Sequence, residues 1–250
     1  MRVAVAGGTG WVGRMVVEAV RAAGDEPVVL ARSAGVDLTT GAGLDEALHG
    51  CATVIDVSNV TTTSRRKSVA FFDAATTHLL SAGARAGVGH HLALSIVGCD
   101  RVEFGYYMGK RRQEELVLSG PVPNTVLRAT QFHEFAAQML ARRGPVMAPR
   151  MRSQPIAARE VADALVRLAG AAPAGLAPDL AGPEVLEMDD MVRRLARARG
   201  ERRLLVPVRL PGAAGRAIAG GALLPAGDGV RGRQTFAQWL TTPDAGVRGR

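Results

Sequence analysis

The sequence predicts an α/β fold: a doubly wound parallel sheet followed by a small C-terminal cap. Three observations predict it. Short apolar runs alternate with helical patterns from residue 2 to about residue 142, as expected of strands covered on both faces by crossover helices. The first run leads directly into Gly7-Gly8-Thr9-Gly10-Trp11-Val12-Gly13, where a strand gives way to a helix. The composition, 47% hydrophobic and 22% charged over 250 residues, is globular and long enough for one large domain plus a cap. It excludes a disordered tail or a low-complexity array.

In order, residues 2–6 read as a strand, 11–23 as a helix and 27–31 as a second strand. Residues 33–43 are rich in Gly and Thr, and only 44–49 have a helical pattern, so one strand–helix–strand unit is shortened. Strands follow at 54–57, 92–95 and 125–128, with helices at 67–87, 106–119 and 132–142. After Gly144 the chain turns to short elements punctuated by Pro and Gly. The domain boundary is placed softly within 144–155, giving a 1–150 nucleotide-binding domain and a 151–250 remainder. That remainder is expected partly to complete the core and partly to form the cap. Residues 158–169 read as an amphipathic helix packed on another element. Pro207, Pro211, Pro225 and many glycines leave the last 40 residues without a readable layout.

The net charge of +8 is unevenly spread. Residues 1–125 hold 12 basic and 12 acidic side chains, and residues 126–250 hold 19 and 11. Much of the excess lies in 189–199, where acids open a helical stretch and arginines close it. That order complements the helix macrodipole and favours a solvated helix over a nucleic-acid stripe. Two cysteines, Cys51 and Cys99, form no disulfide framework or metal spacing, which points to a reducing compartment. His90-His91 and His133-Glu134 also lack metal-site spacing, so no metal is expected. The first residues resemble no signal peptide, and the apolar run 217–224 is too short for a bilayer. A soluble, cytoplasmic protein with no membrane partner is expected.

A bare three-glycine motif arises by chance about 0.4 times in a chain this rich in Gly, so its position carries the argument. At a strand–helix junction, glycines let the backbone approach a pyrophosphate, and free N–H groups at the helix start hold its charge. Gly7, Thr9, Gly10, Trp11, Val12 and Gly13 are therefore candidate dinucleotide-binding residues; the alternative is a tight turn needing glycine for packing. Arg32 follows the second strand, where an acid would bind ribose hydroxyls. A guanidinium suits a 2′-phosphate, so NADP(H) is preferred over NAD(H). A solvated loop arginine is the other reading. Arg14 is a weaker phosphate candidate. Asp37 serves either the adenine ribose or the turn at Thr39-Thr40. Ser58 and Asn59, after the third strand, are candidates for the nicotinamide ribose.

Of 31 basic residues only Lys67 and Lys110 are lysines, and the chain's two tyrosines are Tyr106 and Tyr107. Tyr106 and Lys110 form Tyr-x-x-x-Lys, a spacing that puts both on one helix face. An ammonium beside a phenol lowers its pKa, making Tyr106 a candidate proton donor to a carbonyl that receives hydride. A surface helix with a snorkelling lysine is the structural alternative. Ser95 ends the fourth strand at the ligand-binding edge and is a candidate donor to that carbonyl. Asp56, within an apolar run, is given no role.

Together these residues resemble the short-chain dehydrogenase/reductase superfamily, in particular its atypical, NmrA-like and isoflavone-reductase-like branch. The resemblance spans about residues 1–140. It rests on the Gly7–Gly13 loop, Leu94-Ser95-Ile96-Val97-Gly98, Tyr106-x-x-x-Lys110 with Glu114-Glu115-Leu116, and Leu127-Arg128-Ala129-Thr130-Gln131-Phe132. It implies a Rossmann-type fold with a substrate cap and an NAD(P) cofactor. It also implies Tyr106 as acid/base, Lys110 as its helper and Ser95 as substrate orienter, while the Lys110 ammonium by itself is also a candidate to hold ribose hydroxyls. The expected activity is NADPH-dependent reduction of a small carbonyl, enone or quinone, by a monomer or homodimer. A non-catalytic NADP-binding redox sensor and a nucleotide-sugar epimerase or dehydratase are the alternatives. Ser95 and Tyr106 stand 11 residues apart, closer than is common in better-known members.

Overall fold

The computed structural model of the chain describes residues 1–141 and 144–246. The first part runs β1 (Arg2–Ala6), α1 (Trp11–Ala22), β2 (Glu26–Leu30), a 3₁₀ turn (Arg32–Ala34) and α2 (Leu44–Ala47). It continues through β3 (Thr53–Asp56), α3 (Arg65–Ala86), β4 (His90–Ile96), α4 (Gly105–Leu118) and β5 (Asn124–Ala129). Each strand and helix lies where the apolar pattern predicts it, within three residues. The shortened unit is real: only the 3₁₀ turn and the four-residue α2 separate β2 from β3, so β2 ends the sheet.

The second part comprises α5 (Phe135–Leu140), β6 (Val146–Pro149), β7 (Arg152–Ser153), α6 (Ala158–Ala169), β8 (Gly175–Leu176) and β9 (Leu180–Ala181). Then follow β10 (Leu186–Glu187), α7 (Met188–Ala198), β11 (Leu205–Val208), α8 (Gly212–Ala219), β12 (Val230–Arg231) and α9 (Phe236–Trp239). The helix expected over 132–142 is shorter. Backbone bonds from Ile156 N to Gln131 O and from His133 N to Ile156 O hold its first residues in a bridge, at 2.9 and 3.0 Å. Position 142 lies outside the described residues.

The main sheet has eight strands in the order β2-β1-β3-β4-β5-β9-β12, with β8 also beside β5. Every pair in it is parallel. Parallel strands buried on both faces need side chains that are apolar on both, as Val3, Ala4, Val5 and Ala6 are. On one face Val5, Ile55 and Leu92 pack with Val16 and Val20 of α1 and with Val161 and Leu165 of α6. On the other, Ala4, Ala6 and Val54 meet Leu79 of α3 and Leu44 of α2. Strand order reverses between β1 and β3, and the crevice beyond the carboxyl ends there is where open α/β sheets bind ligands.

A separate cluster joins α5, β6, α7, α8 and α9 through Leu140, Val146, Met191, Leu195, Ile218 and Trp239. The chain crosses between the two bodies more than once. α6, β8, β9 and β12 serve the main sheet, whereas the parallel pair β6–β11 and the antiparallel pair β7–β10 belong to the outer cluster or its rim. α7 buries Met191, Val192 and Leu195, and its Arg193 and Arg194 pair with Asp189 and Asp190 one turn earlier. Among the described residues, no helix is long and apolar enough to cross a membrane.

Candidate functional site

β1 hands over to α1 through Gly7, whose φ of 78° is costly for any residue with a Cβ. A Cβ there would also lie 2.9 Å from Ser58 Cα, and one at Gly13 would overlap Gly7 O. Packing thus accounts for these two glycines. Gly10 differs: it is exposed and forms the N-cap of α1. No side chain caps that helix, and its first turn holds no acid. The first N–H groups of a helix have no acceptor one turn back, so those of Trp11, Val12 and Gly13 open on the sheet's carboxyl edge. Thr9 is exposed and its carbonyl accepts from Arg14 Nη1 at 2.8 Å, which ties Arg14 to the loop. Trp11 leans on Phe132, with ring centroids 6.2 Å apart, and Val12 packs on the main core.

Arg32 lies exposed directly beyond β2, at the same edge. Asp37 Oδ1 accepts from Thr39 N at 2.8 Å and Thr39 Oγ1 at 2.6 Å. These bonds, with the nearby Arg32 charge, hold its carboxyl below the usual range. Asp37 thus caps the turn at Thr39, as one of its two readings expects.

Beyond β3, Ser58 sits against Gly7 and its Oγ is buried without a partner. Asn59 is exposed, and its Oδ1 accepts the Tyr106 hydroxyl at 2.8 Å. Tyr106 occupies the first turn of α4, packed against Phe72 and Tyr107. Sheet topology thus joins residues 47 positions apart at one edge.

Lys110 does not pair with Tyr106. Its Nζ donates to Leu94 O at 2.7 Å and Gln113 Oε1 at 2.5 Å, and lies 4.5 Å from the centre of the Phe72 ring. Burial pushes its pKa down to about 8, opposed by the Asp56 charge. The Tyr106 phenol moves the other way from the sequence expectation: burial, with Tyr107 and Cys99 nearby, holds its pKa well above the ordinary value. The i,i+4 spacing is present, but the long lysine stem runs beneath α4 to the strand instead of along the helix surface. Gln113 extends this network, donating to Asp56 Oδ2 at 2.8 Å, while Asp56 Oδ1 accepts from Ser58 N at 2.9 Å.

Ser95 lies one residue before the carboxyl end of β4, is 2% exposed, and its Oγ faces Cys99 Sγ at 3.8 Å beneath α4. Cys99 Sγ donates to Glu114 Oε1 at 3.3 Å, and Arg128 grips Glu114 with two bonds of 2.9 and 2.6 Å. Burial raises the Cys99 thiol to about 12 and leaves it inert.

Three residues to which the sequence assigned no role stand beside these: Asp56 and Gln113 in the Lys110 network, and Gln131. Gln131 follows β5 at the ligand edge, and both its amide atoms are buried without partners. A polar residue two positions past the end of β5 was the available signal; for Gln113 there was none beyond its helix face. Among the described residues no group of three His, Cys, Asp or Glu could hold a metal.

No protein-family model and no curated protein matches the chain. Solved structures do. MoeE5 in complex with UDP-glucuronic acid and NAD has a TM-score of 0.75 at 17% identity, with 97% of each chain covered. The Citrobacter sp. triphenylmethane reductase complexed with NADP(H) has a TM-score of 0.70 at 17% identity, over 99% of each chain. UDP-N-acetylglucosamine 4-epimerase from Bacillus cereus has a TM-score of 0.71 at 15% identity, over 96% of this chain and 95% of that one. What these proteins share with this chain over nearly its whole length is a Rossmann-type α/β fold.

Proposed function

We propose that the chain binds NADP(H) at the carboxyl edge of its sheet and reduces a small carbonyl, enone or quinone. One observation carries this reading: the Tyr106 hydroxyl meets Asn59 at the edge on which the uncapped α1 N-terminus opens. The residues present fit a dinucleotide. The α1 N-terminus suits a pyrophosphate, Arg32 a 2′-phosphate, and the unpartnered Ser58 Oγ and Gln131 amide suit a ribose hydroxyl and a carboxamide. The structures of similar fold that hold NAD or NADP(H) support the same assignment.

When bound, such a cofactor supplies hydride to the substrate carbon. Tyr106 is protonated at neutral pH, because its phenol is held above its ordinary pKa. Its hydroxyl exchanges Asn59 for the substrate oxygen and gives up its proton as negative charge develops there. Lys110 acts as a positioning residue. Through Gln113 and Asp56 it braces the backbone at Ser58, which carries Asn59.

A second reading, dinucleotide binding without turnover, is favoured by the burial of Ser95 and Lys110, which leaves Tyr106 without close helpers. A nucleotide-sugar epimerase ranks third; its support is the fold shared with UDP-sugar epimerases. Titration of NADPH and NADH, NADPH oxidation across carbonyls, enones and quinones, and chromatographic assay of UDP-sugars for an epimerised product, which consumes no net cofactor, separate the three. NADPH should bind more tightly, and Arg32→Asp should reverse the preference. Tyr106→Phe should lower kcat by about 10²–10⁴-fold while cofactor binding persists. Oxidation unchanged in Tyr106→Phe overturns the acid role, and tight NADPH binding with no turnover selects the sensor.

A further inference from the structure

We propose a second binding site, for a small organic oxyanion that also carries hydroxyl or ammonium groups, in the outer cluster. It is a cavity of about 510 Å³ between the ends of β6 and β11, the start of α7, and α8. Nothing in the sheet-edge reading requires it, so the two stand or fall separately.

Five charged side chains line this cavity. Arg150 follows β6, Arg209 follows β11 and Arg216 lies on α8, while Glu187 and Asp189 stand at the start of α7. Among the described residues none of the three arginines has a carboxylate within ion-pair distance. Elsewhere in this half Arg159, Arg193, Arg194 and Arg199 are paired, whereas Arg152, Arg167 and Arg197 share, among the described residues, the lack of an ion-pair partner, so the shared concavity and not the missing partner sets the three apart. Asp189 is drawn to Arg193 at 3.3 Å, leaving Glu187 as the wall's unpaired acid.

Positive and negative groups therefore share one concavity without collapsing onto each other, and the backbone explains why. β6 and β11 are in parallel register, Pro149 opposite Val208, and Arg150 N donates to Val208 O at 2.8 Å. Arg150 and Arg209 consequently leave adjacent strands side by side. A Cβ at Gly215 would overlap Leu210 O, so α8 packs tightly on the segment carrying Arg209, with Ile218 buried beneath. Arg150, Arg209 and Arg216 are exposed on this one concave wall, and a planar guanidinium fork can meet an oxyanion in bidentate fashion. The carboxylate of Glu187 accepts from a hydroxyl or ammonium on the same ligand. With three cations against two acids, the lining is only modestly positive, which suits a small mixed ligand and not a polyanionic strand. Phosphate esters and hydroxy acids share the required chemistry.

Calorimetric titration of the full chain with inorganic phosphate, a hexose 6-phosphate, malate and glutamate tests the assignment. At least one of the organic probes should bind saturably. Arg209→Ala and Arg216→Ala should each weaken it about tenfold, the effect of losing one charge-assisted contact. Arg209→Lys should recover part of that loss. Arg197→Ala, an exposed arginine outside the cavity, should change nothing. Glu187→Gln should weaken the hexose phosphate without weakening inorganic phosphate. NADP(H) affinity should be the same in all five variants. The proposal fails if wild type binds no organic probe saturably below about 10 mM, if binding survives both arginine-to-alanine changes, or if Arg197→Ala weakens it equally.

Discussion

Arg128 and Lys110 are both cations drawn beneath α4, and their surroundings treat them in opposite ways. Arg128 is held by two bonds to Glu114 and one of 2.9 Å to Asp100, and these carboxylates keep its pKa above the ordinary value. Lys110 meets only neutral acceptors, a strand carbonyl and an amide oxygen, and burial pulls it down to about 8. A carboxylate in contact offsets desolvation; a carbonyl does so only in part. Arg128 is therefore a permanent charge that ties α4 to β5, whereas Lys110 is a hydrogen-bonding strut close to losing its proton.

Removing the two cations should therefore have unequal consequences. Arg128→Ala leaves Glu114 buried and unpaired, and denaturant unfolding should show a loss of about 3–5 kcal/mol. Gln113→Leu removes the bridge between Lys110 and Asp56 and strands their polar atoms. The expected loss is about 1–3 kcal/mol, together with weaker binding of the proposed nicotinamide cofactor through the Ser58 segment. Lys110→Met should change stability by less than about 1 kcal/mol at pH 7, because relieved desolvation and lost hydrogen bonds nearly cancel. A loss matching that of Arg128→Ala would remove the distinction.

Its sharper signature is pH dependence. The folded pKa of Lys110 lies below the unfolded value of 10.5, so from about pH 8 upward the unfolded chain holds the extra proton. Stability should therefore rise with pH between 8 and 10, by at most about 1.4 kcal/mol per unit, and thermal unfolding of Lys110→Met should lack that rise. Above pH 10 the raised phenol of Tyr106 acts in the opposite sense, because the unfolded chain loses that proton first. The smallest effect belongs to Asn59→Ala. It removes one exposed hydrogen bond and should cost about 0.5 kcal/mol or less while altering turnover more than folding.

Five strands and their crossover helices were legible because burial on both faces writes itself as apolar runs and helical repeats, as in 2–6 and 158–169. The Gly7–Gly13 turn was legible for the same local reason: positive φ at Gly7 and crowding at Gly13 admit only glycine. The outer cluster was not. Its β6–β11 pair joins Val146 to Leu205 across 59 residues, a register that no local pattern encodes. Tyr106 and Lys110 illustrate the limit most plainly. Their spacing correctly puts them on one helix, yet i,i+4 spacing sets where the two side chains start and says nothing of where a four-carbon stem ends.

By itself, then, the sequence determined the parallel sheet, the missing unit after β2, the ligand edge and the polar residues along it, since each follows from local periodicity or backbone geometry. The tertiary structure alone decided that Ser95 and Lys110 turn inward, that Asn59 meets Tyr106, and that Gln113 links Lys110 to Asp56. It also decided that three arginines share one cavity. Those outcomes depend on which acceptors long-range packing brings within about 3 Å and on how much water it leaves around each charge, and neither is written in the neighbouring residues.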